Sequence, residues 1–336
     1  MAFMFDIGLF ALKTLLIVAS IILVLIVVVN LFSGRGKARS QIEVEKLNTR
    51  FRSFRRHLQG HLLSKKGHKA LVKKEKREAK QNDEPKAVRL FVLDFNGDIR
   101  ASEGAALKEE ITAILSVAKP GDEVVVRLES GGGLVTSYGL AAAQLARLKA
   151  HQVRLTITVD KIAASGGYMM ACVADKILCA PFAVVGSIGV IAQVPNFNRL
   201  LKRHDVDYRE VTAGEFKRTV TVFGEITESG MEKFKSQIEA THTLFKDFIK
   251  THRPKVDIAR VSTGEHWYGS QALELGLVDE LTTSDEYLFK HFDMADVYRV
   301  QYHAKKKLMD RLGDSVSGAL GRAALKLFSE LEASKQ

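Results

Sequence analysis

Cysteine is scarce in this sequence of 336 residues, which contains only Cys172 and Cys179. Both lie in apolar segments, as buried thiols do, and they form neither a disulfide framework nor a metal-ligand spacing. The sequence has ten histidines, but no motif places one of them near the end of a strand. We therefore expect no metal and no other cofactor, and the cysteines do not identify the compartment.

Charge is nearly absent from the first 34 residues, where only Asp6 and Lys13 are charged. Residues 14–32 form an uncharged, mostly apolar run, and a helix of that length spans about 28 Å, close to the hydrocarbon core of a bilayer. A secretory signal peptide would have a shorter apolar region, followed by a cleavage site of small residues. We therefore interpret residues 1–34 as an N-terminal transmembrane anchor that is not cleaved.

Residues 35–86 are poor in glycine and proline, but they contain 17 Lys and Arg against 6 Asp and Glu. This excess equals the net charge of the whole chain, +11, so the basic character belongs to this segment. Strong helix formers with opposite charges at short spacing predict a solvated, partly helical stalk or linker. Basic clusters beside a membrane span suit contact with anionic lipid head groups. No recognition motif accompanies them, so we favour lipid over nucleic acid.

From residue 87 the pattern changes to alternating strands and helices, which predicts an α/β domain with a mostly parallel sheet flanked by helices. The predicted strands are Val88–Phe95, Glu123–Glu129, Val153–Val159, Lys176–Ala180 and Asp207–Val211. The predicted helices are Ala105–Ala118, Gly139–Ala150, Tyr168–Ala174, Ile226–Phe248 and Trp267–Leu277. We place this domain at residues 87–300 and a C-terminal helical segment with an apolar stripe at residues 301–336.

Ser165 is the first candidate for chemistry, because it lies among small residues at a predicted strand-to-helix turn. A helix N-terminus supplies free amide donors and partial positive charge, which suits a nucleophile. The alternative is that Ser165 only caps the helix. The sequence Ser130–Gly133 follows a neighbouring predicted strand, so the two turns should meet at the carboxyl ends of the strands. Three glycines beside an exposed serine are a candidate oxyanion hole, and a tight turn is the alternative.

A nucleophilic serine needs a base, and Lys217 is the candidate. It lies in the sequence GEFKRT, after the predicted strand Asp207–Val211 and a glycine-containing turn. A lysine acts as a base when burial keeps its amine uncharged, and the apolar neighbours Phe216, Val220 and Val222 would provide that burial. An ordinary surface lysine is the alternative.

Four motifs in this order, AASGGYMMA, VGSIGV, GEFKRT and GEHWYGSQALELGLVDE, closely resemble those of peptidase family S49, the signal peptide peptidase A group. The resemblance covers essentially the whole chain. It implies a Clp-protease/crotonase-like fold, a Ser-Lys dyad, and cleavage of peptides such as signal-peptide remnants at the membrane. It implies that Ser165 is the nucleophile, Lys217 the general base and Ser187 the serine that orients the lysine. It also implies that the amides of Gly133 and Gly166 are the oxyanion donors.

Gly132 is a third candidate oxyanion donor from the same resemblance. The family's usual Ser-Pro-Gly-Gly reads Ser-Gly-Gly-Gly here, with Gly131 in place of proline. We expect this loop to be less rigid than in other members of the family.

The chain has one Ser motif and one Lys motif, which resembles the half-length members of the family. That class implies ring- or dome-shaped homo-oligomers in which Ser165 of one protomer meets Lys217 of the next. It also implies a single-pass inner-membrane protein with a periplasmic catalytic domain. The basic residues after the span predict the cytoplasmic side instead. Of the two, we expect the periplasmic side.

Two other functions fit parts of the sequence. A crotonase-type enzyme acting on acyl-coenzyme A would share the fold and the oxyanion hole, but it needs no nucleophilic serine. A non-catalytic membrane scaffold would keep the fold for assembly alone. Because the Ser and Lys motifs disfavour both, we expect a serine endopeptidase with peptide or protein substrates.

Overall fold

The computed structural model describes residues 41–81, 86 and 88–304, together with short pieces between residues 9 and 25. Two compact units divide between Gln41 and Ile42. Most of the predicted anchor and nearly all of the segment 301–336 lie outside the described residues. Among the helices described, none combines the length and the apolar character that crossing a bilayer requires.

In the described part of the second unit, the strands form one mostly parallel sheet, as the alternating pattern predicted. The strands are β1 (Ile42–Lys46), β2 (Arg89–Gly97), β3 (Glu123–Ser130), β4 (Arg154–Val159), β5 (Ile162–Ala164), β6 (Lys176–Cys179), β7 (Val184–Gly186), β8 (His266–Tyr268), β9 (Glu280–Leu281) and β10 (Asp296–Tyr302). Their order is β1-β10-β2-β3-β4-β6-β9, and the β1–β10 pair is antiparallel.

A short branch leaves this sheet at the end of β3. Ser130, the last residue of β3, is the register partner of Ala163 in β5. β5 runs parallel to β7, and β7 pairs antiparallel with β8. The branch therefore continues the sheet beyond the carboxyl end of β3, where the candidate site residues lie.

Helices cover both faces of the sheet. They are α1 (Leu47–Leu62), α2 (Lys65–Gln81), α3 (Gly104–Leu115), α4 (Val135–Ala150), α5 (Gly166–Ala171), α6 (Asn198–Arg203), α7 (Glu228–His252), α8 (Ile258–Val261), α9 (Gly269–Glu274) and α10 (Ser284–His291). Successive residues of β3 are buried on opposite faces of the sheet. Val124 and Val126 belong to the core under α3 and α4, and Val125 belongs to the core under α1 and α10. Strands that are buried on both faces lose the alternation of polar and apolar residues.

The segment around β1 and α1 differs from the prediction of a solvated stalk for residues 35–86. β1 pairs along its whole length with β10. Asn48 is fully buried, its amide donates to the carbonyl oxygens of Phe292 and Ala295 (both 2.9 Å), and its side-chain oxygen accepts from the amide of Val297 (2.7 Å). This part of the segment is therefore built into the folded domain, while the proposed domain boundaries stay a prediction.

Two predicted elements are wrong in type. Residues 207–211 form no strand and are exposed, because no neighbouring strand offers hydrogen bonds to them. Residues 267–277 are not one helix: Trp267 belongs to β8 and the helix α9 begins at Gly269. The four strands predicted between residues 88 and 180 are confirmed to within two residues at each end.

Candidate active site

Ser165 lies directly after β5, at the start of α5, and its backbone has φ 52° and ψ −118°. A positive φ is unfavourable for any residue with a Cβ, so surrounding contacts must hold the turn. The amide of Ser165 donates to the carbonyl oxygen of Gly186 in β7 (2.8 Å), and its carbonyl oxygen accepts from Met169 (2.9 Å). The half-buried side chain does not cap α5, so the capping interpretation is wrong.

The glycine loop Gly131–Gly133 touches the Ser165 turn, as predicted from the two strand ends. Gly132 has φ 91°, and a Cβ added to it would lie 2.7 Å from both the amide nitrogen of Gly166 and the Cβ of Ser165. A Cβ added to Gly133 would overlap the carbonyl oxygen of Ile99. Both positions therefore need glycine, because backbone atoms occupy the space of a side chain.

The amides of this loop are not equivalent. The amide of Gly132 donates to Ser130 Oγ (3.1 Å), so it is already engaged. Neither the amide of Gly133 nor that of Gly166 has a hydrogen-bond acceptor within the described part of the chain. Both glycines line, with Ser165, a cleft of about 20 Å³. Of the three predicted donors, Gly133 and Gly166 thus have amides that are free to meet a developing negative charge.

The walls of this cleft come from four elements besides the glycine loop. Its other lining residues are Val135, Met169, Gly189, Val190, Thr241 and Phe245. The volume of about 20 Å³ holds roughly one water molecule.

Ser187 lies beside Ser165 at the end of the neighbouring strand. Ala164 and Gly186 are register partners in β5 and β7, so the two serines follow matching positions. Ser187 has φ 50°, its amide donates to the carbonyl oxygen of Glu265 (2.7 Å), and its carbonyl oxygen accepts from Gly189 (3.0 Å). The structure thus brings the two predicted serines together.

Lys217 lies on a segment that we call the arm, residues 190–227, in which α6 is the one helix described. Its amide donates to the carbonyl oxygen of Gly214 (3.1 Å) in a turn, and its side chain is exposed. Phe216 beside it is 41% exposed, and the ammonium of Lys233 lies 5.1 Å from its ring centroid. The expectation that apolar neighbours bury Lys217 is therefore wrong for a single chain.

The two sides of the arm are tied together by hydrogen bonds. The side-chain amide of Asn196 donates to the carbonyl oxygens of Thr221 and Gly224 (both 2.9 Å), and the backbone amide of Phe197 donates to the carbonyl oxygen of Val222 (2.7 Å). The arm nevertheless presents large apolar side chains to solvent, which include Ile191 (79% exposed), Phe197, Val206, Val211 (97% exposed) and Phe223. Large apolar side chains exposed in this number are typical of a segment that contacts another protein surface.

The two cysteines are not among the residues that line the cleft. Cys172 and Cys179 are free and buried, as predicted, and burial raises the pKa of each thiol to about 12. A thiol with such a pKa is not ionised near neutral pH, so neither is suited to act as a nucleophile. No cluster of metal-ligating side chains occurs among the residues that the structure describes.

Tyr138 is the site residue that the sequence analysis missed, and Ser130 was named there only as the start of the glycine motif. Both are buried next to the glycine loop and the Ser165 turn. A tyrosine in an apolar helix is usually a core residue. The hydroxyl of Tyr138 contacts Ser130 and Asp98, which are 8 and 40 positions away in the sequence. No local sequence pattern therefore indicates its position.

Comparison with known proteins gives two family matches along the chain. Residues 2–145 match the family model described as peptidase family S49 N-terminal, and residues 147–298 match peptidase family S49. The chain is 50% identical over 321 residues to the probable protease SohB of Haemophilus influenzae, with 91% of each protein covered. It is 44% identical to the probable protease SohB of Buchnera aphidicola subsp. Schlechtendalia chinensis, which covers 86% of this chain and 99% of that protein.

Among solved structures, one that is similar is a mutant of the 1510-N membrane-bound stomatin-specific protease in complex with a substrate peptide. The alignment has a TM-score of 0.40 and 13% sequence identity, and it covers 68% of this chain and 98% of that chain.

Proposed function

This chain belongs to peptidase family S49, and on that premise we propose that it is a membrane-anchored serine endopeptidase with a Ser-Lys dyad. Ser165 is the nucleophile, Lys217 the general base, and the amides of Gly133 and Gly166 are the oxyanion donors. The substrates are peptides, with signal-peptide remnants or membrane-associated polypeptides as the expected class. The observation that carries the proposal is the Ser165 turn, where a serine held at positive φ shares one cleft with two free amides.

Catalysis would proceed through an acyl-enzyme. The hydroxyl oxygen of Ser165 attacks the scissile carbonyl carbon while its proton passes to the amine of Lys217. The resulting oxyanion accepts hydrogen bonds from Gly133 and Gly166, which stabilise charge that the substrate lacks before the attack. Collapse of this intermediate expels the amine product, which takes the proton from Lys217. Water then repeats the sequence on the ester, releases the carboxylic acid and regenerates Ser165.

Lys217 reaches this site from a neighbouring protomer in our proposal. In the single chain its side chain is exposed, and among the described residues no hydrogen bond joins it to Ser165 or Ser187. The exposed apolar residues of the arm support a protomer contact, because association would remove them from water. The same contact would bury Lys217 and leave its amine uncharged. Ser187, at the matching strand position beside Ser165, would then orient that amine.

The remaining features of the proposal concern the membrane and the fold. The uncharged run at residues 14–32 supports a single-pass anchor in the inner membrane, with the catalytic domain on the periplasmic side and basic residues in contact with anionic lipid. We further propose that the sheet has the Clp-protease/crotonase arrangement. The short branch β5-β7-β8, which carries both serines away from the main sheet, supports this assignment.

A fluorophosphonate probe tests the nucleophile directly, because it phosphonylates an activated serine and spares an ordinary one. We expect the full chain to be labelled and to hydrolyse a peptide ester, and Ser165→Ala to lose both properties. Ser116→Ala, at an exposed serine after α3, is the matched control and should behave as the wild type. Labelling and turnover retained in Ser165→Ala would reject the proposal.

A further inference from the structure

Tyr138 lies in the first turn of α4 and is completely buried. Its hydroxyl donates to the carbonyl oxygen of Asp98 (2.7 Å) and lies 2.6 Å from Ser130 Oγ. A tyrosine hydroxyl has one proton, which is committed to Asp98, so Ser130 is the donor in the second bond. The tyrosine oxygen therefore fixes the orientation of the serine hydroxyl.

The same chain of hydrogen bonds continues into the glycine loop. Ser130 Oγ accepts from the amide of Gly132 (3.1 Å), so the bonds run in one direction from Gly132 through Ser130 and Tyr138 to Asp98. Each hydroxyl accepts once and donates once, and such chains reinforce one another where the surroundings are apolar. The chain fixes the peptide of Gly132 and therefore the point from which the free Gly133 amide projects.

The ring of Tyr138 supports the other free amide. A Cβ added to Gly166 would overlap the ring at Cγ, so ring and backbone are in direct contact. A Cβ added to Gly97 would overlap both Ser130 Oγ and the Tyr138 hydroxyl, which means that glycine at position 97 leaves the space for this hydroxyl pair. One side chain thus contacts Gly166 directly and reaches the glycine loop through Ser130.

We propose that Tyr138 is a positioning residue that sets the separation of the Gly133 and Gly166 amides. Its hydroxyl acts through Ser130 on the glycine loop, and its ring acts on the Ser165 turn. The inference rests on the proposed function.

Tyr138→Phe tests the proposal, since it keeps the ring and removes the hydroxyl. On the full chain in detergent, kcat for a peptide ester should fall about 10-fold and KM should change by less than about twofold. The affinity for a peptide aldehyde, whose reversible serine adduct puts its oxygen where the oxyanion forms, should fall by the same factor as kcat. The loss is smaller than the roughly 10²- to 10³-fold cost of deleting an oxyanion donor, because the donors remain.

Ser130→Ala is the second variant and should give the same loss, and the double variant should lose no more than either alone because both act through one chain of bonds. Tyr287→Phe is the matched control: its buried hydroxyl donates to Glu123 (2.6 Å) under the opposite face of the sheet. It should lower the melting temperature without changing the aldehyde affinity.

The outcomes separate this inference from the proposed function. Wild-type kcat and aldehyde affinity in both Tyr138→Phe and Ser130→Ala, with Ser165→Ala inactive, would overturn the role of Tyr138 and leave the peptidase proposal intact. The role of Tyr138 would also be overturned if the losses in kcat of Tyr138→Phe and Ser130→Ala added up in full in the double variant. Activity retained in Ser165→Ala would overturn both.

Discussion

Ser165 and Ser187 follow register-paired residues of two parallel strands, and both have a positive φ, 52° and 50°. The amide of the first donates to the carbonyl oxygen that immediately precedes the second, that of Gly186 (2.8 Å). Two unfavourable backbone conformations at one edge of the sheet are unusual, and such strain is concentrated at functional sites. The pair therefore supports a candidate site at this edge, independently of Lys217.

Mixed assemblies test whether neighbouring protomers share the dyad. Ser165→Ala and Lys217→Ala should each be inactive alone, because each lacks one member of every dyad. Co-assembly of the two at equal amounts should restore roughly a quarter of the wild-type sites, since that share of contacts joins an intact serine to an intact lysine. Turnover of a peptide ester measures the recovery.

The control for this experiment is Ser165→Ala mixed with the double variant Ser165→Ala/Lys217→Ala, which contains no intact serine and should stay inactive. No recovery in verified mixed assemblies of the two single variants would contradict a shared dyad.

The glycine loop gives a prediction that depends on position. Gly132→Ala should lower kcat by at least about 10²-fold, because its φ of 91° disfavours a side chain and the new Cβ would lie 2.7 Å from the amide nitrogen of Gly166. In Gly131→Ala the nearest atom would be Ile162 Cδ1 at 3.9 Å, so that variant should keep most of the activity. Steady-state kinetics on a peptide ester compares the two. Equal losses would show that general loop flexibility, and not the contact at Gly132, matters.

Glu110 should make stability depend on pH. It is 4% exposed, its carboxylate accepts from the amide of Tyr302 (2.8 Å), and burial raises its pKa to about 7. The neighbouring carboxylates of Glu103 and Asp94 raise this pKa further, and Arg299 opposes them. Between about pH 4.5 and 7 the folded chain holds a proton that the unfolded chain has lost, so the free energy of unfolding falls as pH rises.

The Glu110→Gln variant isolates this contribution. It should remove about 1–3 kcal/mol of the difference in unfolding free energy between pH 5.5 and pH 8, and it should be more stable than the wild type at pH 8. Urea unfolding of the two proteins at both pH values measures the effect. An identical pH dependence in wild type and variant would contradict the assignment to Glu110.

Asn48 should anchor the N-terminal segment to the domain. Asn48→Ala removes three hydrogen bonds and leaves buried backbone groups of residues 292–297 without partners, so we expect a loss of about 2–4 kcal/mol in unfolding free energy. Arg55→Ala is the control, because its ion pair with Asp293 is largely exposed and should contribute less than about 1 kcal/mol. Equal effects in urea unfolding would show that Asn48 has no special role.

The sequence predicted β2, β3 and β4 because their pattern is strong, but it missed β1 and β10, which have five and seven residues. The strands at Glu123–Ser130 and Arg154–Val159 are runs of aliphatic and β-branched residues, and the helices between them follow the parallel-sheet arrangement. It did not predict β5, β7 and β8, since strands of three residues are too short to show a period. Consequently, Ser165 was expected after β4, whereas it follows β5.

The candidate site was only partly predictable for a similar reason. Ser165, Ser187 and the glycines lie in short motifs, so local sequence identifies them. Tyr138 contributes through contacts that the fold brings together, and no neighbouring strand pairs with residues 207–211. The environment of Lys217 cannot be inferred from its own segment. Exposed apolar neighbours bury a lysine only when another surface packs against them.

The pairing of β1 with β10 has a consequence for any shortened form of the protein. Cutting the chain after residue 46 would remove the outer neighbour of β10 and uncover a row of unsatisfied backbone groups along Asp296–Tyr302. Exposed edge strands pair with strands of other molecules, which leads to aggregation. Proteolytic release of the domain at that point would therefore favour self-association through β10, whereas a cut before residue 42 would keep β1 paired with β10.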